Sequence, residues 1–441
     1  MAPNLRLPPS AVHDTLRRHL LVSGHPIVLD LERSHGPWAV DELTADEYLD
    51  FASFYASNPV GYNHPSMVTD EMQHRLARAA TTKVGNPDFY TSYFAEFVDT
   101  LSRTAAPPQF PHYFFVEGGA LAIENAMKAA FDWKVRKNLS AGRPALGSQI
   151  LHFQNAFHGR AGYTLSVTNT EPAKTLHFPK FDWPRIQAPS VSFPLGGHLD
   201  ELLERERVAV QAIERAFDTR EHDIAAILIE PVQGEGGDNH FRPEFLRKLR
   251  TIADEREALL IFDEVQTGVG LTGAWWAHQK LGVLPDIVAF AKKMQVGGIL
   301  VSRRIDDVES VFQVPGRISS TWGGSLVDMV RATRILEIID GEGLIENAEQ
   351  RGTELLHGLA ALAERLPGVS NARGLGLMCA IDLPSTDVRN AALKRCFQDR
   401  LILLGCGARS LRFRPFLCVD AASIQLCLER LEGSLRAVLE H

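Results

Sequence analysis

The chain has 441 residues, which exceeds the size of one ordinary hydrophobic core and predicts two or three domains. Hydrophobic residues make up 45% and charged residues 23%, as in globular proteins, and a formal net charge of −8 argues against binding to nucleic acid or to an anionic membrane. The sequence has no apolar run long enough to span a bilayer, no signal-peptide pattern and no C-x-x-C pair among its five cysteines, so we expect a cytoplasmic protein without a disulfide framework or a structural zinc site.

The central part of the chain, from residue 113 to residue 292, predicts a parallel β-sheet with helices on both faces. Short, nearly continuous apolar runs alternate there with longer amphipathic segments. The predicted strands are His112–Val116, Gln149–Phe153, Ile224–Ile229, 258–262 and Ile287–Phe290. The predicted helices are 121–138, after the first strand, and 243–257, before the fourth.

The C-terminal part predicts a second, smaller domain of the α+β class. Its predicted elements are, in order, helices over 325–340 and 346–366, strands over 375–382 and 411–413, and a last helix over Ala421–Leu439. We therefore expect residues 1–70 to form an N-terminal segment that joins the small domain, 71–329 the large domain and 330–441 the C-terminal small domain.

Residues suited to ligand chemistry follow the predicted strands, and ligands of open α/β sheets bind at such strand ends. After the first strand, two glycines in 117–120 lead into a helix whose N-terminal amides can bind phosphate, although a tight turn without a ligand is the commoner meaning. After the second strand, Phe157 could stack on a planar ring and Arg160 could bind a carboxylate, or the two are a buried Phe beside a surface Arg.

Three further strand ends carry acidic or basic side chains. Residues 230–237 hold two acidic residues among three glycines and a proline, which is typical of a functional loop or of a plain connection. Asp263 stands at the tip of a buried strand, where a carboxylate needs a partner such as a protonated ring nitrogen, or it caps the strand end. Lys292 could form a Schiff base inside a site, or belong to a surface pair with Lys293.

Taken together, these strand ends supply every part of a pyridoxal-phosphate site. The parts are a phosphate cradle, an aromatic ring stack, a carboxylate for the pyridine nitrogen, a Schiff-base lysine and arginines for the substrate. A hydroxyl at Thr321 in the glycine-containing segment 320–324, and Arg412 and Arg414 beside the last predicted strand, complete the set. Because the parts arise at successive strand ends, chance is a poor explanation.

The sequence resembles a class III (subgroup II) aminotransferase of the pyridoxal-phosphate-dependent fold type I, from residues 61–65 to the Arg412 region. The most specific match is FDEVQTG, beginning at Phe262, followed by PDIVAFAK, with the family's separation of 29 positions between Asp263 and Lys292. Five further segments are similar to the branch of the family that acts on L-lysine: FVEGGALAIENAMKAAFDWK, FHGRAGYTLS, FPKFDWPRI, GEGGDNHFRPEF and STWGG.

The resemblance implies pyridoxal 5'-phosphate as the cofactor and an α/β fold with a large domain built on a mostly parallel sheet and a smaller α+β domain. It implies that Lys292 binds the cofactor covalently and shuttles a proton, and that Asp263 pairs with the pyridine nitrogen. The other implied cofactor contacts are Gln266 near the ring hydroxyl, Phe157 on the ring face, the amides of Gly119 and Ala120 on the phosphate, and Thr321 on the phosphate of a second subunit.

The resemblance also implies the substrates and a homodimer with its active site at the interface. The ε-amino group of L-lysine would pass to 2-oxoglutarate by ping-pong kinetics, giving L-glutamate and 2-aminoadipate 6-semialdehyde, which cyclises to piperideine-6-carboxylate. Arg412 would bind the α-carboxylate of glutamate or 2-oxoglutarate, and Arg160 the distal carboxylate. Two departures from the family pattern are the phosphate turn GGAL at 118–121, which lacks the usual serine, and the second arginine, Arg414.

An ω-amine donor raises a charge problem at Arg412, because the carbon next to its reacting nitrogen bears only hydrogens. Arg412 would then be a buried cation without a partner, which is costly. By this argument and by the resemblance, Glu235 pairs with Arg412 when lysine binds and swings away when glutamate or 2-oxoglutarate brings its own carboxylate. The open alternatives are an ornithine or 4-aminobutyrate donor, an aminomutase or racemase that needs no acceptor, and a fold relative that has lost its chemistry.

Overall fold

The structure is a computed structural model that describes residues 7–440. The strands are β1 (Trp38–Val40), β2 (Glu47–Asp50), β3 (His112–Val116), β4 (Gln149–Phe153), β5 (Arg185–Ile186), β6 (Ile224–Ile229), β7 (Val232–Gln233), β8 (Asn239–His240), β9 (Leu259–Asp263), β10 (Ile287–Phe290), β11 (Gly297–Val301), β12 (Ser370–Leu375), β13 (Met378–Asp382), β14 (Leu401–Ile402), β15 (Leu404–Cys406) and β16 (Ser410–Phe413).

The helices are α1 (Val12–Arg17), α2 (Ser53–Ala56), α3 (Asp70–Thr81), α4 (Ser92–Thr104), α5 (Gly119–Ser140), α6 (Thr164–Val167), α7 (Pro172–Thr175), α8 (Leu199–Thr219), α9 (Pro243–Glu255), α10 (Ala277–Leu281), α11 (Leu326–Gly341), α12 (Leu344–Arg365), α13 (Thr386–Gln398) and α14 (Ala421–Leu439). Short 3₁₀ turns lie at Pro9–Ala11, Pro65–Met67, Leu195–Gly197, Lys292–Met294 and Arg303–Asp307. Within residues 7–440, no helix is both long enough and apolar enough to cross a membrane.

The predicted parallel sheet is present as seven strands in the order β3-β11-β10-β9-β6-β4-β5. The pairs from β10 to β5 are all parallel, and only β11 runs antiparallel to its two neighbours, β3 and β10. The predicted bounds of β3, β4, β6 and β10 are confirmed, and β9 lies one residue further along the chain than predicted. The strands β5 and β11 were not predicted.

Helices cover both faces of this sheet, and the strand residues alternate between them. On one face, α5 packs its small side chains against Leu259 and Ile261 of β9; on the other, α8 and α9 pack against Leu260 and Phe262 of the same strand. The six residues of β6 are all buried, as the unbroken apolar run predicts for a strand covered on both sides. This packing fixes the carboxyl ends of the parallel strands at one edge of the sheet.

The C-terminal residues form a four-stranded antiparallel sheet in the order β12-β13-β16-β15, with α12 and α13 packed against it and α14 packed on those two helices. The prediction of one strand over 375–382 was wrong. The chain turns at Gly376, which has a φ of +57°, so that β12 ends at Leu375 and β13 begins at Met378. The last helix has its predicted bounds, and α11 and α12 differ from theirs by one or two residues.

The N-terminal strands meet the C-terminal part of the chain in a small third sheet. β2 pairs with β1 and, in parallel, with β14, so that Leu49 lies opposite Leu401. This contact is what the proposed division expects of residues 1–70, and the division and its two boundaries stay a prediction. Residues 1–6 and His441, which belong to that division, lie outside the described residues.

Candidate active site

A cavity of about 870 Å³ opens at the carboxyl ends of the parallel strands. It brings together eight of the residues that the sequence singled out: Gly119, Ala120, Phe157, Arg160, Glu235, Asp263, Gln266 and Lys292. Arg412 lies against Glu235 beside the cavity. Thr321 is exposed and does not line the cavity within this chain.

Lys292 follows β10 and begins a 3₁₀ turn with a φ of +48°, a backbone conformation that is strained for a residue with a side chain. Its Nζ donates a hydrogen bond to the carbonyl oxygen of Tyr55 at 3.0 Å. Burial, and then the positive charges of Arg412 and Arg414, lower the pKa of Lys292 to about 8. The share of free amine near neutral pH is therefore larger than for an ordinary lysine, which favours a role as a nucleophile or a proton carrier.

The neighbouring lysine, Lys293, points into the protein. Its Nζ donates to the carbonyl oxygen of Gln266 at 2.7 Å and to that of Ala56 at 3.4 Å, and Lys293 does not line the cavity. Burial, together with the charge of Lys292, lowers the pKa of Lys293 well below its ordinary value. Of the two lysines, Lys292 alone is placed to meet a ligand in the cavity.

A left-handed turn, α2, presents the carbonyls that hold both lysines. Its four residues, Ser53–Ala56, all have positive φ values, between 41° and 62°, and this conformation costs roughly 1–2 kcal/mol per residue for L-amino acids. Asp50 offsets part of that cost, because its Oδ1 accepts the amides of Ala52 and Ser53 at 2.8 and 2.9 Å. The Ser53 hydroxyl also donates to the carbonyl oxygen of Arg414 at 2.6 Å.

Asp263 ends β9 and is held by His158, a residue for which no role was predicted. Nδ1 of His158 lies 2.7 Å from Oδ2 of Asp263, and the Val265 amide donates to Oδ1 at 3.0 Å. Asp263 is 5% exposed, and the His158 side chain is fully buried with no protein partner for its Nε2 among the described residues. The histidine therefore orients the carboxylate and keeps one oxygen engaged.

Glu230, at the end of β6, is a second buried residue that was not assigned a role. Its carboxylate accepts the amides of Phe157 at 2.9 Å and Gly234 at 3.0 Å. Burial raises the pKa of Glu230 to about 7. The side chain thereby ties the loop that carries Phe157 to the loop that carries Glu235.

The residues predicted to hold an anion lie at the N-terminus of α5. The helix begins at Gly119, and Gly118 before it has a φ of +88°, which only glycine adopts readily. No side chain caps this end, so its first amides have no partner within the helix. A Cβ at Gly159 would lie 2.6 Å from the Cβ of Ala120, so glycine there allows the second strand-end loop to approach the cradle.

Glu235 is held between two cations. Nη2 of Arg412 donates to its Oε2 at 2.7 Å, and Nζ of Lys174 donates to its Oε1 at 2.6 Å. Burial would raise the pKa of Glu235, but the charges of Arg412 and Lys174 outweigh burial and hold that pKa below its ordinary value. The contact between Glu235 and Arg412 that the charge argument expects is therefore present.

Arg412 is only partly satisfied by this contact. It is 1% exposed, it lies 5.3 Å from the centroid of the Tyr55 ring, and its Nε and Nη1 have no hydrogen-bond partner among the described residues. A buried guanidinium with free donors is costly unless a further acceptor binds to it. The arrangement suits a carboxylate ligand, which can accept from two donors at once.

The second arginine, Arg414, has a different environment. It is fully buried, forms an ion pair with the equally buried Asp238, and donates to Oε1 of Gln266 at 3.0 and 2.9 Å. Its donors are used within the protein, so Arg414 supports the site rather than binding a ligand. Arg160, in contrast, is exposed at the cavity wall.

These residues fit the pyridoxal phosphate that the resemblance implies. A buried carboxylate oriented by His158 is available for a protonated ring nitrogen, and the uncapped start of α5 is available for a phosphate. Lys292 offers an amine with a lowered pKa on the same cavity. The donor set therefore matches the three charged or reactive parts of that cofactor.

Comparisons with known proteins show similarity to pyridoxal-phosphate-dependent aminotransferases. The sequence profile described as "Aminotransferase class-III" matches residues 21–435. The L-lysine-epsilon aminotransferase of Amycolatopsis lactamdurans is 53% identical over 96% of this chain and 95% of its own length. The 4-aminobutyrate aminotransferase of Rattus norvegicus is 32% identical over 92% and 84%. The solved lysine aminotransferase from Mycobacterium tuberculosis, in its internal aldimine form, is 51% identical, with a TM-score of 0.96 over 98% of this chain and 100% of that one.

Proposed function

The chain belongs to the class-III aminotransferase family, and on that premise we propose that it is an L-lysine 6-aminotransferase. The reaction moves the ε-amino group of L-lysine to 2-oxoglutarate and yields 2-aminoadipate 6-semialdehyde and L-glutamate. The semialdehyde carries both an amine and an aldehyde, so it closes with loss of water to the six-membered imine piperideine-6-carboxylate. The observation that carries the choice of donor is the ion pair of Glu235 with Arg412.

Enzymes of this family depend on pyridoxal phosphate, which is the cofactor of this chain. When bound, it supplies an electron-withdrawing ring that stabilises the negative charge released at the amine-bearing carbon of a substrate. In the proposal, Asp263 holds a positive charge at the ring nitrogen, Phe157 and Gln266 contact the ring, and the amides of Gly119 and Ala120 hold the phosphate. Lys292 would take up, at its Nζ, the proton that leaves the amine-bearing carbon of the substrate.

Glu235 and Arg412 let one site accept two kinds of substrate. L-lysine reacts through a carbon without a carboxylate, and Glu235 then supplies the anion that Arg412 requires. Glutamate and 2-oxoglutarate bring a carboxylate to the same place, and Glu235 moves aside. Once Glu235 has moved, Nη2 of Arg412 together with Nε or Nη1, which have no partner among the described residues, allows that incoming carboxylate a bidentate contact.

Arg160 is the proposed partner for the carboxylate at the far end of either substrate. Its side chain is exposed at the cavity wall, and no ion pair among the described residues occupies it. In L-lysine that far carboxylate is the α-carboxylate, and in 2-oxoglutarate it is the distal one. That carboxylate lies further from the reacting carbon in L-lysine than in 2-oxoglutarate, so the long, exposed side chain of Arg160 would have to adopt a different position for each substrate.

The proposed enzyme is a homodimer with each active site at the interface. Thr321, the expected phosphate contact, lies outside this chain's own cavity, as a residue that serves a second subunit would. Large aromatic side chains are also exposed, among them Phe89 and Tyr90, which are 74% and 82% exposed. A second copy of the chain would cover such apolar surface.

A donor panel tests the proposed activity against its nearest alternatives. The purified holoenzyme is mixed with L-lysine, L-ornithine or 4-aminobutyrate, and the loss of the yellow cofactor absorbance is followed before 2-oxoglutarate is added. L-lysine should bleach the absorbance fastest, and 2-oxoglutarate should restore it. If L-ornithine or 4-aminobutyrate bleached the absorbance faster, that amine and not L-lysine would be the donor. Turnover without an acceptor would indicate an aminomutase.

A further inference from the structure

The two oxygens of the Glu235 carboxylate have separate cationic partners. Oε2 accepts from Arg412 at 2.7 Å, and Oε1 accepts from Lys174 at 2.6 Å. Because the two contacts use different oxygens, the carboxylate can lose one cation and keep the other. The proposed function uses only the contact with Arg412 and leaves the contact with Lys174 without a role.

Lys174 is held in place beside the site. It lies in the short helix α7, its Nζ also lies 3.0 Å from Oε1 of Glu171, and it stands 5.4 Å from the centroid of the Phe157 ring. Burial lowers the pKa of Lys174, but hydrogen bonds with Glu235 and Glu171 outweigh burial and raise that pKa above its ordinary value. The ammonium group is therefore charged throughout the physiological range and available as a fixed counter-ion.

We propose that Lys174 is a positioning residue that retains Glu235 when a dicarboxylate takes its place on Arg412. The inference rests on the proposed function, because only a substrate with a carboxylate next to its reacting carbon displaces Glu235. In the paired position two cations share the carboxylate of Glu235. In the displaced position Lys174 is the cation that remains in contact among the described residues, so its charge contributes more there.

This difference makes Lys174 a specificity determinant for the acceptor half of the reaction. Without the charge of Lys174, Glu235 is less stable in its displaced position and stays on Arg412 more firmly. A dicarboxylate then binds more weakly, because it has to displace Glu235 from Arg412 at a greater cost in free energy. Lys174→Met, which removes the charge and keeps most of the stem, should weaken the binding of L-glutamate and 2-oxoglutarate about five- to tenfold. Binding of L-lysine, which requires the paired position, should be unchanged or slightly tighter.

The test uses the purified holoenzyme and glutarate, a five-carbon dicarboxylate that lacks the reacting keto group. Its dissociation constant is measured by titration of the cofactor absorbance, and the half-saturation concentrations and limiting rates are measured for L-lysine and L-glutamate separately. Lys174→Met should raise the constants for glutarate and L-glutamate with little change in the limiting rates. Lys174→Arg should restore them, and Glu171→Gln, which removes only the outer partner of Lys174, should leave them unchanged.

A double-mutant cycle separates positioning from direct contact with the ligand. In a Glu235→Ala background the carboxylate that Lys174 retains beside the site is gone, so Lys174→Met should not weaken the binding of glutarate any further. An equal weakening in both backgrounds would overturn the inference, since it would mean that Lys174 binds the ligand itself. Equal losses for L-lysine and L-glutamate would also overturn it. Failure of the proposed function is a different result, namely a wild-type holoenzyme that does not react with L-lysine.

Discussion

Arg412 donates from Nη2 to Oε2 of Glu235 at 2.7 Å, while Nε and Nη1 of the same guanidinium have no partner among the described residues. The protein thus neutralises this buried cation with a carboxylate of its own and leaves donors free for another. Such an arrangement suits a site that meets substrates with and without a carboxylate at this position.

Replacement of Glu235 by alanine should impair the lysine half-reaction more than the glutamate half-reaction. Without Glu235, Arg412 is left as a buried, uncompensated charge whenever L-lysine binds, whereas L-glutamate brings its own carboxylate. The ratio of the two second-order rate constants should shift at least tenfold toward glutamate, as measured by rapid mixing of the holoenzyme with each donor. Glu221→Ala, at a highly exposed carboxylate, is the control. An equal loss in both half-reactions would refute the switch.

Replacement of His158 by alanine should weaken the hold on the cofactor. Oδ2 of Asp263 would lose its hydrogen-bond donor at 2.7 Å and its fixed orientation toward the cavity. We expect the dissociation constant of pyridoxal phosphate from the apoprotein to rise about tenfold, which corresponds to roughly 1.4 kcal/mol. Fluorescence titration of the apoprotein measures this constant, with His177→Ala at an exposed position as the control. Unchanged affinity in both variants would contradict the role of His158.

The pKa of Lys292 predicts the pH dependence of covalent cofactor capture. Because this pKa is lowered to about 8, the share of free amine rises as the pH increases through 8 and levels off above it. The rate at which the apoprotein binds pyridoxal phosphate covalently should follow that curve. Arg412→Met removes a positive charge that lowers this pKa, so the midpoint should move to higher pH. A midpoint near the ordinary lysine value in the unmodified chain would contradict the assignment.

The buried pair of Arg414 and Asp238 should matter for stability. Arg414→Met leaves the Asp238 carboxylate buried without its cation, a change that typically costs about 3–5 kcal/mol. Thermal and denaturant unfolding should show a marked loss of stability. Arg409→Met is the control, because Arg409 is half-exposed and lies 3.7 Å from Asp382, and that carboxylate keeps its closer ion pair with Arg373 at 2.8 Å when Arg409 is replaced. Similar stability in the two variants would show that the buried pair is dispensable.

Much of the large sheet could be predicted because its strands are unbroken apolar runs. Strand β11 was not predicted because it begins with Gly297 and Gly298, which interrupt the apolar pattern of a buried strand. Those glycines are required, since a Cβ at Gly297 would overlap the carbonyl oxygen of Gly118 in the phosphate turn. The turn at Gly376 was not predicted, because a single glycine within an apolar stretch does not show that the chain reverses direction there.

The site could be predicted as far as its residues follow directly on strands. Asp263 and Lys292 stand at the ends of β9 and β10, which are neighbours in the sheet, so their proximity follows from the topology. His158, Glu230 and Lys174 were missed because their partners lie 105, 73 and 61 positions away in the sequence. No local pattern reports such contacts. The individual roles of the cofactor and substrate residues stay predictions.

The origin of the transferred nitrogen tests the central claim most directly. The holoenzyme is incubated with 2-oxoglutarate and L-lysine that carries ¹⁵N at either the ε- or the α-amino group, and the L-glutamate formed is analysed by mass spectrometry. The account predicts that glutamate takes up ¹⁵N from ε-labelled lysine and none from α-labelled lysine. Label that comes from the α-amino group, or glutamate that carries no label from either lysine, would contradict it.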